Sequence, residues 1–162
     1  MSTPPITLVP FDAPTLEAAV EGDLALGRAL GLAVADGWLD DRDALVLARA
    51  ALGAGDYWGP FLVVDGARHV VGSAGYFGPP TANGEVEIGY AIAPAHRRAG
   101  LATAAVRALT ARAFGSPGIV AVVARTRREA VGSMRVLANA GFVVEGEVHD
   151  AEGTLVVHRL RR

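Results

Sequence analysis

Residues Glu85 to Ala113 read EVEIGYAIAPAHRRAGLATAAVRALTARA, and the rest of the chain is organised around them. Glu85 to Ala93 reads as a strand, Pro94 opens a turn, a short basic loop follows, and an Ala-rich helix starts at Leu101. Where strand gives way to helix, Arg97-Arg98-Ala99-Gly100-Leu101-Ala102 matches the pattern R-x-x-G-x-A. The first amides of a helix have no intrahelical partner, and the helix dipole adds positive potential there. Gly100 and Ala102 leave that backbone open to an approaching phosphate, and two arginines add charge. The stretch therefore has the make-up of an anion cradle. An ordinary strand–turn–helix connection with surface arginines carries the same short pattern, so both readings stand on this stretch alone. A Walker loop and a G-x-G-x-x-G dinucleotide fingerprint are both absent.

Working outward, Ile6 to Val9 reads as a first strand, and Asp12-Ala13-Pro14 as the entry of a helix that runs to Glu21 and stops at Gly22. Asp23 to Gly37 is Ala/Leu-rich and resists assignment. Asp40 to Asp43 caps a second helix, Ala44 to Leu52. The segments Phe61 to Val64 and His69 to Phe77, joined through Asp65-Gly66, form a hairpin. After the Leu101–Phe114 helix, Gly115 to Gly118 breaks the chain, and Ile119 to Ala124 is continuously apolar, as in a strand buried on both faces. Glu129 to Ala140 is helical with Gly141 as its stop, and Phe142–His149 with Thr154–Leu160 close the sequence as two strands. The order β-α-α-β-β-β-α-β-α-β-β predicts an α+β class with a mixed sheet, in one domain over residues 6–162.

Composition narrows the function. A net charge of −2 argues against a dedicated nucleic-acid binder and against a polybasic membrane protein. No cysteine is present, which excludes thiol catalysis and thiolate metal sites. His69, His96, His149 and His158 show no metal-ligand spacing, so a metal site would need spatial convergence that the sequence does not display; none is expected. The N-terminal segment lacks signal-peptide features and no apolar run is long enough for a membrane-spanning helix, so a soluble cytoplasmic protein is the default expectation.

The loop gains meaning from a second motif. Strand–PxxRRxGLA–helix is followed by a buried strand and by Ser133-Met-Arg-Val-Leu-Ala-Asn-Ala-Gly-Phe142. Together these resemble the GNAT superfamily of acyl-CoA N-acyltransferases, whose loop [RQ]-x-x-G-x-[GA] is met by Arg97, Gly100 and Ala102. Its second signature, S-x-R-V-L-x-x-x-G-F, is met at Ser133, Arg135, Val136, Leu137, Gly141 and Phe142. The wording Glu85 to Pro94 further resembles the branch of ribosomal-protein serine/alanine N-terminal acetyltransferases. The resemblance implies a mostly antiparallel sheet of about seven strands flanked by about four helices, with acetyl-CoA as co-substrate and no metal. It places the pyrophosphate on the loop, Arg97, Arg98, Ala99, Gly100, Leu101, Ala102 and Thr103, and the pantetheine arm along Tyr90, Ala91, Ile92 and Ala93. A bulge in that strand would splay it from the next, and an amide near Tyr90 or Ala91 would stabilise the oxyanion.

The implied reaction moves an acetyl group to a primary amine, on a protein N-terminus or a small molecule, by direct transfer in a ternary complex. An amine must be neutral to attack, so a base is useful. Glu87 is the first candidate and Glu85 the second, two apart on one strand face. Ser133 matches a serine that assists the departing thiolate in the N-terminal branch, although a hydroxyl bonded back to its own helix is the plain alternative. Two departures stand out. The tyrosine many members carry for the leaving group is replaced by Leu137, and an asparagine three residues before the serine is replaced by Ala130. These favour a rival reading, a non-catalytic acyl-CoA sensor of the same fold. The resemblance also makes a homodimer an expectation, since dimers are common in the family. The run Arg125 to Arg128 either meets the 3′-phosphate or is a solvated charge run. Trp38, Tyr57 and Trp58 either line an acceptor pocket or pack.

Overall fold

The computed structural model describes residues 2–38 and 57–162. The helix expected at Ala44–Leu52 lies outside these. The described residues form β1 (Ile6–Pro10), α1 (Ala13–Glu21), α2 (Asp23–Leu30), β2 (Ala33–Val34), β3 (Pro60–Asp65), β4 (His69–Tyr76) and β5 (Glu85–Ile92). A short 3-10 turn (Pro94–His96) then leads to α3 (Leu101–Phe114), β6 (Ala121–Arg127), α4 (Val131–Asn139), β7 (Val143–Asp150) and β8 (Gly153–Arg161). Asp12 caps α1 as its sequence suggests, its side chain accepting from the Thr15 amide at 2.8 Å.

The strands make one sheet in the order β1-β3-β4-β5-β6-β8-β7, with β2 added in parallel beside β4. Every neighbouring pair on that path is antiparallel except β5–β6. The mixed, mostly antiparallel α+β sheet expected from the sequence is therefore the observed one, with the two-residue β2 as an eighth strand. It comes from the Ala/Leu-rich segment that resisted assignment. That segment also forms α2, ended at Gly31 in the left-handed conformation.

Two buried clusters lie on opposite faces of the sheet. Val86, Ile88 and Ile92 of β5 pack under α3 and α4 with Ala105, Leu109, Leu137 and Phe142. Phe11, Leu16, Leu26, Trp38, Leu62 and Val70 fill the second cluster, on the α1–α2 face. The Tyr76 hydroxyl reaches through the first cluster to donate to the Leu109 carbonyl at 2.5 Å. Trp58 sits edge-on to Tyr76, with ring centroids 4.8 Å apart, and Trp38 is buried, so both tryptophans are core residues. Tyr57 spends its hydroxyl on the Phe11 and Pro60 backbone. Leu109, fully buried on the face of α3, tests the first cluster. Leu109→Ala should lower unfolding free energy by about 2–5 kcal/mol in urea titration, whereas Leu24→Ala on the exposed side of α2 should change it by less than about 0.5 kcal/mol.

Candidate active site

The parallel pairing of β5 with β6 runs from Glu85–Ala121 to Ile88–Ala124 and stops there. Beyond that point β5 stays bonded to β4 as far as Ile92–Gly72, while β6 stays bonded to β8 as far as Arg127–Leu155. A gap therefore opens between two strands that are each held on their outer side. The sequence reading expects a bulge in β5 to make this gap. Instead the register of β5 with β4 is unbroken, and the irregularities lie between Val63 and Val64 and between Val144 and Gly146. The splay arises because β6 follows β8 and β5 follows β4.

An unbroken pleat fixes what faces the gap. Glu87 carbonyl accepts from Phe77 and Ala93 amide donates to Val71, so residues 87 to 93 with odd numbers turn their backbone to β4. Tyr90 and Ile92 consequently turn theirs toward the gap. The Ile92 carbonyl accepts from Arg97 Nε at 2.9 Å, which clamps the first arginine of the loop against the end of β5.

Beside the gap lies a cleft of about 1090 Å³, between the end of β5, the start of α3 and the exposed side of α4. Of the residues expected to hold acetyl-CoA, Tyr90, Ala91, Ile92, Arg97, Arg98, Gly100, Leu101, Ala102 and Thr103 line it. Ala93 and Ala99 do not; Ala93 is buried in the α1–α2 cluster, and Ala99 sits on the outside of the loop. Among the described residues the cleft wall contains three arginines, Arg97, Arg98 and Arg135, and no carboxylate. Among the described residues Arg98 and Arg135 make no ion pair, so their charge is directed at the cleft. Gly100, at φ +77°, is the N-cap of α3 and provides no capping side chain, so the first amides of the helix are left for a ligand. A Cβ at Gly100 would also meet Pro4 at 3.3 Å. Arg98 has a left-handed φ of +62°, uncommon for a residue other than glycine.

Gly132, Ser133, Arg135, Val136 and Asn139 line the opposite wall at helical spacing along α4. The sequence reading gives a role only to Ser133; the three-and-four spacing of the S-x-R-V-L motif was the available signal for Arg135 and Asn139. The Tyr90 hydroxyl donates to the Ser133 carbonyl at 3.0 Å and bridges the two walls. Leu137 is fully buried, and Ala130 lines the cleft where an asparagine was expected.

Glu85 and Glu87 share a face, as expected, with Gly89 and Ala91. It is the α1–α2 face, opposite the side chain of Tyr90. Neither lines the cleft. Glu87 pairs with Arg125, and Glu85 with Arg159, which also reaches Glu145 at 2.5 Å. Phe77 lies on this face as well, half exposed, its ring resting where a Cβ on Gly89 would come within 2.7 Å of it. Sequence reasoning passed over Phe77. The basic run also resolves here: Arg125, Arg127 and Arg128 pair with Glu87, with Asp150 and Glu152, and with Glu147, and none lines the cleft. Hydrogen bonds from Arg127 hold the Asp150 carboxyl down at about 2. His158 is buried with its Nε2 2.9 Å from Thr126 Oγ1, and burial pushes its pKa below the ordinary histidine value.

A mixed, mostly antiparallel sheet whose central strands splay beside an arginine-lined cleft at a glycine-capped helix is an open sheet of the acetyltransferase (GNAT) type. The chain belongs to the acetyltransferase (GNAT) domain family, which it matches over residues 6–143, and it is an acetyltransferase. It is 28% identical over 153 residues to the uncharacterized N-acetyltransferase YjdG of Bacillus subtilis, covering 89% of each chain. Its fold is shared with the GNAT-family acetyltransferase of Bacillus anthracis at a TM-score of 0.68 and 17% identity, covering 99% of this chain and 97% of the other. It is shared as well with the microcin C7 self-immunity acetyltransferase MccE, solved with acetyl-CoA and AMP, at a TM-score of 0.70 and 15% identity, covering 97% and 92%.

Burial pushes the phenols of Tyr76 and Tyr90 up to about 12, against about 10 in an unfolded chain. The native state thus keeps protons that the unfolded state releases. The stabilisation is complete below about pH 10 and is lost as pH rises through about 12. Urea midpoints measured across that window should fall with pH, and the Tyr76→Phe/Tyr90→Phe double variant should show a shallower fall.

Proposed function

We propose that the protein transfers an acetyl group from acetyl-CoA to a primary amine by direct attack in a ternary complex. The observation that carries this reading is the junction of a gap between β5 and β6 with a cleft whose wall bears three arginines and no carboxylate. The pyrophosphate fits the free amides at the start of α3, with Arg98 and Arg135 supplying charge. The pantetheine arm fits the gap, where the backbone of Tyr90 and the amide of Ile92 offer strand groups as a neighbouring strand would, the Ile92 carbonyl being held by Arg97. The Tyr90 amide is the donor best aimed at the thioester oxygen, where negative charge develops as the carbonyl carbon becomes tetrahedral. The bound acetyl-CoA of MccE supports the same use of the shared fold here.

The acceptor enters from the α1–α2 face, past Phe77 and Glu87. Arg125 engages Glu87 Oε2 and leaves Oε1 to take the ammonium proton, directly or through water; Glu85, further from the gap and held by Arg159, is the second candidate. The neutral amine then attacks the thioester carbon, the C–S bond breaks, and the proton shed by the new amide nitrogen goes to the departing thiolate, which leaves beside Ser133 on the α4 wall. Tyr90 keeps its hydroxyl proton on the Ser133 carbonyl. Among the described residues Glu85, Glu87 and Glu145 are each matched by arginine, so these three strand carboxylates offer a polyamine no uncompensated charge. That favours an α-amine on a peptide or an apolar small amine, in keeping with the resemblance of Glu85–Pro94 to the ribosomal-protein N-terminal branch.

Calorimetry with acetyl-CoA should give saturable one-site binding to the wild type. Gly100→Glu should abolish it, through the strained φ, the contact with Pro4 and charge repulsion of the pyrophosphate. Glu87→Gln should leave that affinity intact and lower turnover of a peptide or small-amine acceptor by about 10²-fold. Binding without thioester consumption over an amine panel would replace the enzyme reading with the sensor reading, and unchanged turnover in Glu87→Gln would remove Glu87 as the base.

A further inference from the structure

We propose that Asp65, His69 and His96 form a binding site for one divalent transition-metal ion of the zinc class. The three come from two separate turns. Asp65 ends β3 and His69 begins β4, so both belong to the β3–β4 hairpin, whereas His96 ends the 3-10 turn that follows β5. The fold brings one donor atom from each within 4.8 Å of the others. The His69 and His96 rings meet edge-on, with centroids 6.3 Å apart.

Three further features fit a metal. Asp65 Oδ1 accepts from the amides of Ala67 at 3.0 Å and His69 at 2.9 Å, which fixes the carboxylate and leaves Oδ2 facing His69 Nδ1 at 3.9 Å. Backbone bonds to the non-ligating oxygen are the usual outer support of a carboxylate ligand. His96 Nδ1 is buried and has no hydrogen-bond partner among the described residues, a costly arrangement for an imidazole nitrogen unless an ion or a bound water relieves it. Two imidazoles and one carboxylate suit zinc with a water in the fourth position, while calcium and magnesium want shells of six or more oxygens. Bonds of about 2.0–2.2 Å in a tetrahedron set donor spacings of about 3.4 Å. Donors within 4.8 Å of one another must therefore close by up to about 1.4 Å through side-chain rotation, most freely at His69, which is 45% exposed.

Such an ion ties the β3–β4 hairpin to the residue immediately before Arg97, and so to the loop at the start of α3. The site does not depend on the acetyl-transfer reading, and its test needs no acetyl-CoA. Protein stripped with EDTA and then freed of chelator is titrated with Zn²⁺ alone, near neutral pH, by calorimetry. One equivalent should bind at micromolar affinity or tighter. His69→Gln and Asp65→Asn should each weaken binding by at least about 10-fold. His149→Gln, at an exposed histidine bonded to Thr154 in the other hairpin, should leave it unchanged. Zn²⁺ should raise the melting temperature of the wild type and not of His69→Gln, since only a ligand of the native state stabilises. Absence of saturable binding by the wild type overturns the proposal, as does an affinity that survives His69→Gln.

Discussion

The parallel hydrogen-bond ladder between β5 and β6 ends at Ile88 and Ala124, and the rest of the structure depends on where it ends. A ladder in mid-sheet normally continues, because unpaired strand groups in a buried sheet are costly. Here each strand has a stronger commitment on its other side, β5 to β4 and β6 to β8, and both run on past the break. The gap is thus a consequence of sheet geometry and needs no loop to hold it open. The backbone of Tyr90 and Ile92 is left facing it, and the side chain of Tyr90 pins the α4 wall through the Ser133 carbonyl.

Charge is divided across the sheet with the same economy. On the α3–α4 side, the cleft carries Arg97, Arg98 and Arg135 without a carboxylate, so its potential is positive despite a chain of net charge −2. On the α1–α2 side, Glu85, Glu87 and Glu145 are matched by Arg159, Arg125 and Arg161. Among the described residues, the cleft therefore carries arginines without acidic partners, while the strand carboxylates of the other face are neutralised in pairs. Among the described residues the two faces meet at the gap, one pleat beyond Glu87.

Much of this was legible in the sequence because strand and helix periods were clean around Glu85–Ala113 and Ser133–Phe142. The loop glycine, the order of elements and the shared face of Glu85 and Glu87 followed from those periods. The segment Asp23–Gly37 was not legible, since a run of Ala and Leu has no clear polar face and β2 is only two residues long. The origin of the splay was misplaced because a bulge and a divergence of partners look alike in one strand; only the register with β4 separates them. The run Arg125–Arg128 left a 3′-phosphate contact and a solvated charge run both open, because its partners Glu147, Asp150 and Glu152 come from a later hairpin that sequence order does not place beside it. Phe77 and the Asp65–His69–His96 cluster share that cause: proximity across turns leaves no spacing to read.

The central claim is that acetyl-CoA lies with its phosphates on the start of α3 and its thiol arm in the gap. Amide chemical shifts followed by ¹H–¹⁵N spectroscopy during an acetyl-CoA titration test it residue by residue. The account predicts the largest changes at Arg98 to Thr103 and at Tyr90 and Ile92, with the amides of β7 and the β7–β8 turn undisturbed. Changes centred on β7 and β8, or a spectrum unmoved by saturating acetyl-CoA, would contradict it.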